Sequence, residues 1–380
     1  MDHLKTPPVW AEIRITGPED VVIARQLAAV AADRLSFSGA RIKEAVLVAS
    51  ELAQNHLEHH TRNGLIRISG LVLNSTPQLG IASLDEGPGI QDVKEAMKDG
   101  FSTSGGLGVG LGTVRRLSDR FYICSTMVGT SPCPDLGVDF RFGTVAIAVL
   151  FDHATKTCLD VCPLNEETND FAGSQIQKID EVDVSALIRP YPGETYSGDA
   201  FYCQDDGCFC RMALIDATGH GISAARTAQT VIDVLAALPL NIGLDRVLEA
   251  AGEALAGSDG ASVHVLVLDR GLSKVAAAGI GNVNCTLYLD GIRRGLTSRP
   301  GVLGNGRLAR KGFEIYNFSS QVLCFMHSDG VRPMPDLPPE IALKPIPSGI
   351  WAHLFFNPES SSEDDASLAV WKWRRTKTKT

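Results

Sequence analysis

DGFSTSGGLGVGLGTVRRLSDRF, residues 99–121, is the stretch that decides how the first half of this chain folds. Its alternating glycines lead into an apolar periodic segment, which predicts a glycine-rich loop followed by a helix over about 109–117. Backbone amides of such a loop, together with the positive end of the helix, hold phosphate groups. The stretch is not a dinucleotide-binding fingerprint, because a polar loop rather than a strand precedes it. It is not a P-loop either, because no Gly-Lys-Ser/Thr follows.

A carboxylate and an amide lie upstream on a predicted helix over residues 40–59. Glu51 and Asn55 are four residues apart, so both project from one face of that helix. Asn55 can then be an oxygen ligand of Mg²⁺, and Glu51 can accept the proton of an attacking hydroxyl. By themselves, these residues also suit the polar face of an ordinary surface helix.

A third motif, Asp85-Glu86-Gly87-Pro88-Gly89, follows a predicted strand over residues 78–84. A carboxylate at a strand end can accept a hydrogen bond from the exocyclic amine of adenine. The glycines allow the backbone to approach the base, because they lack side chains. A plain turn remains the alternative for this motif alone.

In order and spacing, the E-x-x-x-N helix, the D-x-G-x-G strand end, the GLGVGLG segment and Gly143-Thr144 on a last strand resemble the four boxes of the GHKL ATPase/kinase superfamily. More narrowly, residues 9–151 resemble RsbT-type serine/threonine kinases, with RsbW-type anti-sigma kinases as relatives. The resemblance implies a two-layer α/β sandwich, Mg-ATP as cofactor and phosphorylation of STAS-domain proteins. It assigns the catalytic base to Glu51, the Mg²⁺ ligand to Asn55 and the adenine contact to Asp85. The other nucleotide-binding positions that it implies are Gly87, Gly89, Gly106, Gly108, Gly110, Gly112 and Thr144.

The second half carries a series of aspartates at predicted strand ends. They occur in the segments SGD (197–199), DATGHG (216–221), HSDGV (327–331) and DDAS (364–367). Carboxylates that converge from strand ends suit two divalent cations of the Mn²⁺ or Mg²⁺ type. Two such metals activate a water and stabilise in-line attack on phosphorus. Taken singly, each aspartate is more typical of a turn or a helix cap.

This series resembles the SpoIIE-type PPM serine/threonine phosphatases over about residues 180–374, and GDAFY and PGVLG are most similar to the RsbX-like members. The resemblance implies an α-β-β-α sandwich with a dinuclear metal site. It assigns the bridging, catalytic role to Asp199 and Asp216, a carbonyl ligand to Ala217 and the remaining ligands to Asp329 and Asp364. The sequence departs from the common pattern where Tyr202 replaces a second aspartate and where Ala217 replaces a glycine. Asp365 is the alternative to Asp364.

Composition restricts the remaining classes of function. The chain has 380 residues, 44% of them hydrophobic, and a formal net charge of −9, which argues against a general nucleic-acid binder. No apolar run is long enough to span a membrane, and nine cysteines without framework spacing predict a reducing, cytoplasmic location. We expect an α+β chain with a kinase domain over residues 1–151, a linker over 152–178 and a phosphatase domain over 179–380.

Together these patterns predict a regulator that phosphorylates and dephosphorylates STAS-domain proteins of a bacterial stressosome or sigma-factor pathway. It uses Mg-ATP in the first half and two Mn²⁺ or Mg²⁺ ions in the second, and it needs neither nucleic acid nor a membrane. One alternative is a nucleotide-dependent module that sequesters a sigma factor or antagonist without kinase turnover, fused to a phosphatase. A second alternative assigns a nucleotide or another non-protein ester to the second half.

Overall fold

The computed structural model describes residues 8–59, 61–73, 76–97, 110–125, 142–152, 182–305, 313–357 and 364–375. These residues divide into two compact units. The first unit contains the described residues 9–152 together with Pro345–Leu354, and the second contains Pro8 and the other described residues from 182 onward. The domain boundaries stay a prediction, because nearly all of the expected linker lies outside the described residues. No described helix is long and apolar enough to cross a membrane.

An antiparallel sheet of order β1-β2-β3-β5-β4 forms the first unit, with helices on one face. Its elements are β1 (Val9–Arg14), α1 (Pro18–Arg34), α2 (Gly39–Glu58), β2 (Leu65–Leu73), β3 (Thr76–Asp85), α3 (Val93–Ala96), α4 (Gly110–Leu117), β4 (Arg120–Ser125) and β5 (Thr144–Phe151). Apolar residues of α1, α2 and α4 pack against one face of the sheet in a single core. This is the predicted two-layer sandwich.

Local chemistry fixes the ends of the two long helices. Pro18 occupies the first turn of α1, and Asp20 accepts hydrogen bonds from the Gly17 and Thr16 amides. Ser38 caps α2 by accepting a hydrogen bond from the Arg41 amide, as the sequence predicts. The buried Arg41 guanidinium donates to the carbonyl oxygens at the ends of α4 and β5, which ties the start of α2 to both elements.

The other face of this sheet is covered by a segment that sequence reasoning missed. Residues Pro345–Leu354 group with the first unit, and most of them form the helix α8 (Ser348–Phe355). Arg67 on β2 donates to the His353 carbonyl at 3.2 Å, and Trp351 is fully buried. The helix has little polar periodicity, and a helix that is apolar on all sides is typical of a buried position. Its sequence therefore lacks the polar face that helped to identify α2.

Two further sheets form the second unit. One has the order β13-β10-β9-β8-β7 with β14 on β10, and the other has the order β12-β11-β15-β16-β6. The elements are β6 (Asp183–Arg189), β7 (Asp199–Asp205), β8 (Phe209–Ala217), α5 (Gly221–Ala237), α6 (Leu244–Ala254), β9 (Ala261–Asp269), β10 (Lys274–Ile280), β11 (Asn284–Leu289), β12 (Ile292–Leu296), β13 (Ser298–Arg299), β14 (Glu314–Asn317), β15 (Gln321–His327), α7 (Pro339–Ala342) and β16 (Ala366–Arg374).

The layers of this unit follow from which faces of the strands are buried. On β8, Ala213 and Ile215 pack against α5 and α6, whereas Met212 and Leu214 are buried on the opposite side. The side chains of His264 on β9 and Cys285 on β11 are close enough for each to shift the pKa of the other, so the two sheets face each other. The short helix α7 contacts β12 of the second sheet. The predicted α+β fold is confirmed, although sequence reasoning did not predict β12, β13, α3, α7 or α8.

Candidate active sites

A cavity of about 1050 Å³ opens beside α2 in the first unit. Among its lining residues are six of the predicted nucleotide-binding positions, namely Glu51, Asn55, Asp85, Gly89, Gly110 and Thr144. Helix α2, the end of β3, the start of α4 and the start of β5 supply these residues. The structure therefore brings four separate sequence motifs together around one space, although nothing in the sequence makes them adjacent.

Helix α4 begins directly against the Glu51–Asn55 pair. A Cβ atom on Gly110 would lie 3.2 Å from Asn55 Oδ1 and 3.3 Å from Glu51 Oε2. Only a residue without a side chain leaves both polar groups open to the cavity at this point. The amides of the first turn of α4 have no partners within the helix, so they are available to phosphate oxygens. This arrangement fits the phosphate end of Mg-ATP, with Asn55 as a ligand of the metal.

The other end of the site is built on Asp85. Its Oδ1 accepts a hydrogen bond from the Gly87 amide at 2.7 Å, and its carbonyl accepts one from Gly143 at 2.6 Å. Gly89 has a φ of 80°, a left-handed conformation that glycine adopts without strain. Thr144 is the direct partner of Asp85 across β3 and β5. The carboxylate is thus held at the edge of the cavity by backbone hydrogen bonds.

Burial changes the acidity of the groups in this cavity. It raises the pKa of Asp85 to about 6, although the Gly87 amide opposes part of that shift. Burial also raises the pKa of Glu51, and the negative charge of Glu58 adds to this effect. A raised pKa makes the Glu51 carboxylate a stronger base, as proton abstraction from a hydroxyl requires.

Not every predicted position lies at the cavity. Gly87 and Gly112 are neighbours in sequence of residues that line the cavity but do not line it themselves. Gly106 and Gly108 lie outside the described residues. Conversely, His56, Thr61 and Ser83 line the cavity, although sequence reasoning did not select them. His59, at the end of α2, lines the cavity as well. His56 directly follows the Asn55 motif, so its position was the available signal.

Gly143→Ala tests the backbone contact that supports Asp85. A Cβ atom on Gly143 would lie 2.2 Å from the Gly87 carbonyl oxygen, so one of the two segments must move. We expect the substitution to lower the free energy of unfolding by about 1–3 kcal/mol and to weaken ATP binding. Thermal denaturation and calorimetric titration with ATP measure the two effects.

The matched control for this prediction is Gly39→Ala. A Cβ atom on Gly39 would meet no atom within 4 Å, and alanine favours a helix over glycine. We expect Gly39→Ala to retain or slightly increase stability and to leave ATP affinity unchanged. Equal behaviour of the two variants would show that the Gly87–Gly143 contact has no role.

The second site begins with two aspartates on neighbouring strands. Asp199 at the start of β7 and Asp216 near the end of β8 are direct partners across the sheet. A Cβ atom on Gly198 would lie 3.0 Å from the Ala217 carbonyl oxygen, so glycine keeps the space beside that oxygen clear. The predicted bridging pair and the predicted carbonyl ligand are therefore neighbours at one end of this sheet.

Asp329 and Asp364 are exposed and lie in the loops that flank β15 and β16. Asn282 donates to Asp329 Oδ2 at 2.7 Å. Asp365 is buried instead and accepts hydrogen bonds from the Tyr191 and Gly198 amides at 2.6 and 2.7 Å. Because Asp365 is committed to holding the loop before β7, Asp364 is the better candidate for a metal ligand.

These carboxylates repel one another. Burial and the charge of Asp216 hold the pKa of Asp199 well above its ordinary range. Burial raises the pKa of Asp216 to about 7, and the charges of Asp329, Asp364 and Asp365 contribute. Asp199 Oδ2 is buried without a hydrogen-bond partner, and coordination to a divalent cation would compensate for its burial. The donor set therefore fits hard metal ions.

The side chains of the predicted metal-binding aspartates do not surround a common point. Within the part of the chain that the structure describes, no three His, Cys, Asp or Glu side chains converge closely enough to hold a metal ion. Asp329 and Asp364 are exposed, so rotation of their side chains is not hindered by burial. The metal ligands consequently stay a prediction.

Two histidines lie close to this acidic cluster. His220 precedes α5, stacks on Tyr191 with ring centroids 4.1 Å apart and lies 3.5 Å from Glu194. His327 is buried, and its Nδ1 donates to the Ser328 carbonyl at 2.9 Å, which is a structural contact. Of the two, only His220 is open to solvent at the end of the sheet.

Comparison with known proteins identifies relatives of the first unit. A family model described as a histidine kinase-like ATPase domain matches residues 16–131. Serine/threonine-protein kinase RsbT of Bacillus subtilis (strain 168) is 41% identical over 113 residues, which are 30% of this chain and 84% of that protein. The family match includes the segments of Glu51–Asn55, Asp85–Gly89 and Gly110, and it ends before Thr144.

Solved structures resemble about half of this chain, at lower identity. A crystal structure of RsbX with magnesium covers 52% of this chain and 98% of that chain, with 16% identity and a TM-score of 0.44. The serine/threonine phosphatase PstP/Ppp of Mycobacterium tuberculosis covers 51% and 99%, with 15% identity and a TM-score of 0.40. At scores this low, any activity of the second half must be inferred from its own residues.

Proposed function

This chain belongs, through its first unit, to the RsbT family of histidine kinase-like serine/threonine kinases, and from that premise we propose that it transfers phosphate from Mg-ATP to a serine or threonine of a STAS-domain protein. The observation that carries this proposal is the convergence of Glu51, Asn55 and Asp85 on one cavity. A sigma-factor or stressosome pathway of the partner-switching type is the setting that the kinase family suggests.

Each of these residues has a separate role along the cavity. Asp85 accepts a hydrogen bond from the base, Asn55 supplies an oxygen to Mg²⁺, and the first turn of α4 presents amides to the phosphates. Glu51 lies beside Asn55 and accepts the proton of the incoming hydroxyl. Bound Mg-ATP supplies the transferable phosphoryl group, and the protein contributes position and charge.

For the second unit we propose metal-dependent hydrolysis of phosphoserine or phosphothreonine on the same class of protein. Support comes from the Asp199–Asp216 pair, the unpartnered Asp199 oxygen and the nearby Asp329 and Asp364. Two Mn²⁺ or Mg²⁺ ions at such a cluster would activate water for attack on phosphorus. Opposed activities in one chain would only consume ATP, so regulation must separate them.

The direct test is purified full-length protein with Mg-ATP and a candidate STAS-domain protein. Mass spectrometry would follow a phosphate shift on the partner, first with Mg-ATP and then with Mn²⁺ after ATP removal. We expect the shift to appear in the first step and to disappear in the second. A partner that stays unmodified under every metal condition would contradict the kinase proposal. A stable phosphorylated partner in Mn²⁺ would contradict the phosphatase proposal.

A further inference from the structure

A chain of three polar side chains lies beneath the Asp85 end of the cavity. His56 Nδ1 is 2.9 Å from Thr61 Oγ1, and His56 Nε2 is 2.9 Å from Ser83 Oγ. His56 is 4% exposed, and all three residues line the cavity. Ser83 and Asp85 are two residues apart on β3, so they project from the same face of the strand.

The direction of these hydrogen bonds follows from the Thr61 hydroxyl. We assign the single Thr61 proton to the His56 carbonyl, which lies 3.4 Å away; with this assignment Thr61 Oγ1 accepts a hydrogen bond from the His56 ring. The ring proton is then on Nδ1, and Nε2 accepts the proton of Ser83. A neutral imidazole has one donor and one acceptor, and both are used inside the protein. Burial favours this neutral form of His56 and lowers its pKa to about 4.

Fixing the Ser83 proton also fixes what Ser83 offers to a ligand. A free serine hydroxyl rotates and either donates or accepts, but one that donates to His56 has only its lone pairs left. We propose that His56 is a positioning residue that makes Ser83 an obligate acceptor beside Asp85, so that the pair selects a 6-amino purine nucleotide over a 6-oxo one. This proposal rests on the nucleotide site proposed above and adds the residues that set its specificity.

The selection follows from the chemistry of the two bases. The 6-amino group of adenine has two N–H donors, which match two neighbouring acceptors. The 6-oxo group of guanine is itself an acceptor, so it would meet two acceptors and gain no hydrogen bond. Rejection of a mismatched polar group is stronger than rejection by shape alone, because buried polar atoms are left unpaired. Without His56, the Ser83 hydroxyl can turn and donate to the 6-oxo group.

Equilibrium binding of ATP and GTP to the full chain, measured by calorimetry, tests this proposal. We expect His56→Leu to reduce the preference for ATP over GTP by roughly tenfold, mainly through tighter GTP binding. Thr61→Val should reduce this preference for ATP more weakly. The His56 ring can then carry its proton on Nε2, which leaves the Ser83 hydroxyl free to donate to a ligand. Ser83→Ala should weaken ATP binding without improving GTP binding, because it removes the hydroxyl itself.

A second measurement is independent of binding. The ¹⁵N chemical shifts of His56 in the selectively labelled full chain should show the proton on Nδ1, and a proton on Nε2 would overturn the proposal. An unchanged ATP-to-GTP ratio in His56→Leu and Thr61→Val, with ATP still bound, would overturn it as well. If His56→Leu does not fold, Thr61→Val alone decides. If the unaltered chain binds neither nucleotide, the proposed kinase function fails together with this inference.

Discussion

Phosphorylation of the partner protein by the Glu51→Gln variant is expected to be about 10²- to 10⁴-fold slower than by the unaltered chain, with little change in ATP affinity. Glutamine keeps the size of the side chain and its place beside Gly110, but it cannot accept a proton at neutral pH. The raised pKa of Glu51, caused by burial and by Glu58, strengthens its role as a base. Phosphate incorporation into the STAS-domain protein measures the rate, and calorimetry measures ATP binding.

Glu58→Gln is the matched control for this variant. Glu58 lies seven residues later on α2 and lines the same cavity, so the two substitutions make the same chemical change in one neighbourhood. We expect Glu58→Gln to lose only a small part of the phosphorylation rate, because Glu58 adds to the raised pKa of Glu51 but lies farther along the helix from the start of α4. Equal loss of activity in both variants would indicate a general charge effect. Full activity in Glu51→Gln would favour the alternative in which the first unit binds its partner without a catalytic base.

The folds of the two halves could be predicted because their elements carry strong local signals. Ser38 marks the start of α2, and the 3.6-residue periodicity that follows identifies the helix. Alternating or continuous apolar residues, with turn residues on either side, predicted the observed bounds of β10, β11 and β14. These signals depend on near neighbours in the chain, which is why sequence reasoning could use them.

The features that sequence reasoning missed depend on distant contacts instead. The apolar helix α8 has no polar face, and its position depends on contacts with residues far away in the chain, such as Arg67 on β2. Sequence reasoning did not select His56, because its partners Thr61 and Ser83 are brought to it by the turn after α2 and by β3. The separate roles of Asp364 and Asp365 required the Tyr191 and Gly198 amides, which lie more than 160 residues earlier.

Asp216→Asn is expected to reduce metal-dependent hydrolysis of a phosphoserine protein by more than about 100-fold. Changes to groups that only orient metal ligands already cost 10- to 100-fold, and Asp216 is proposed as a ligand itself. The same variant should lose the stabilisation that Mn²⁺ gives to the unaltered chain. That stabilisation is about 2.7 kcal/mol when the free metal is at 100 times its dissociation constant. Phosphate release and melting temperatures with Mn²⁺ or with EDTA measure the two effects.

The melting temperature in EDTA separates a metal ligand from a residue needed for folding. Asp216 faces Asp199 across β7 and β8, and both carboxylates are largely buried. An uncharged amide at position 216 removes their repulsion, so the metal-free variant should melt at the same temperature as the unaltered chain or higher. Asp233→Asn, on the exposed face of α5, makes the same change away from the cluster and should retain both hydrolysis and the effect of Mn²⁺. A lower melting temperature of Asp216→Asn in EDTA, with Mn²⁺ still raising it as in the unaltered chain, would remove Asp216 from the metal site and make it a structural residue.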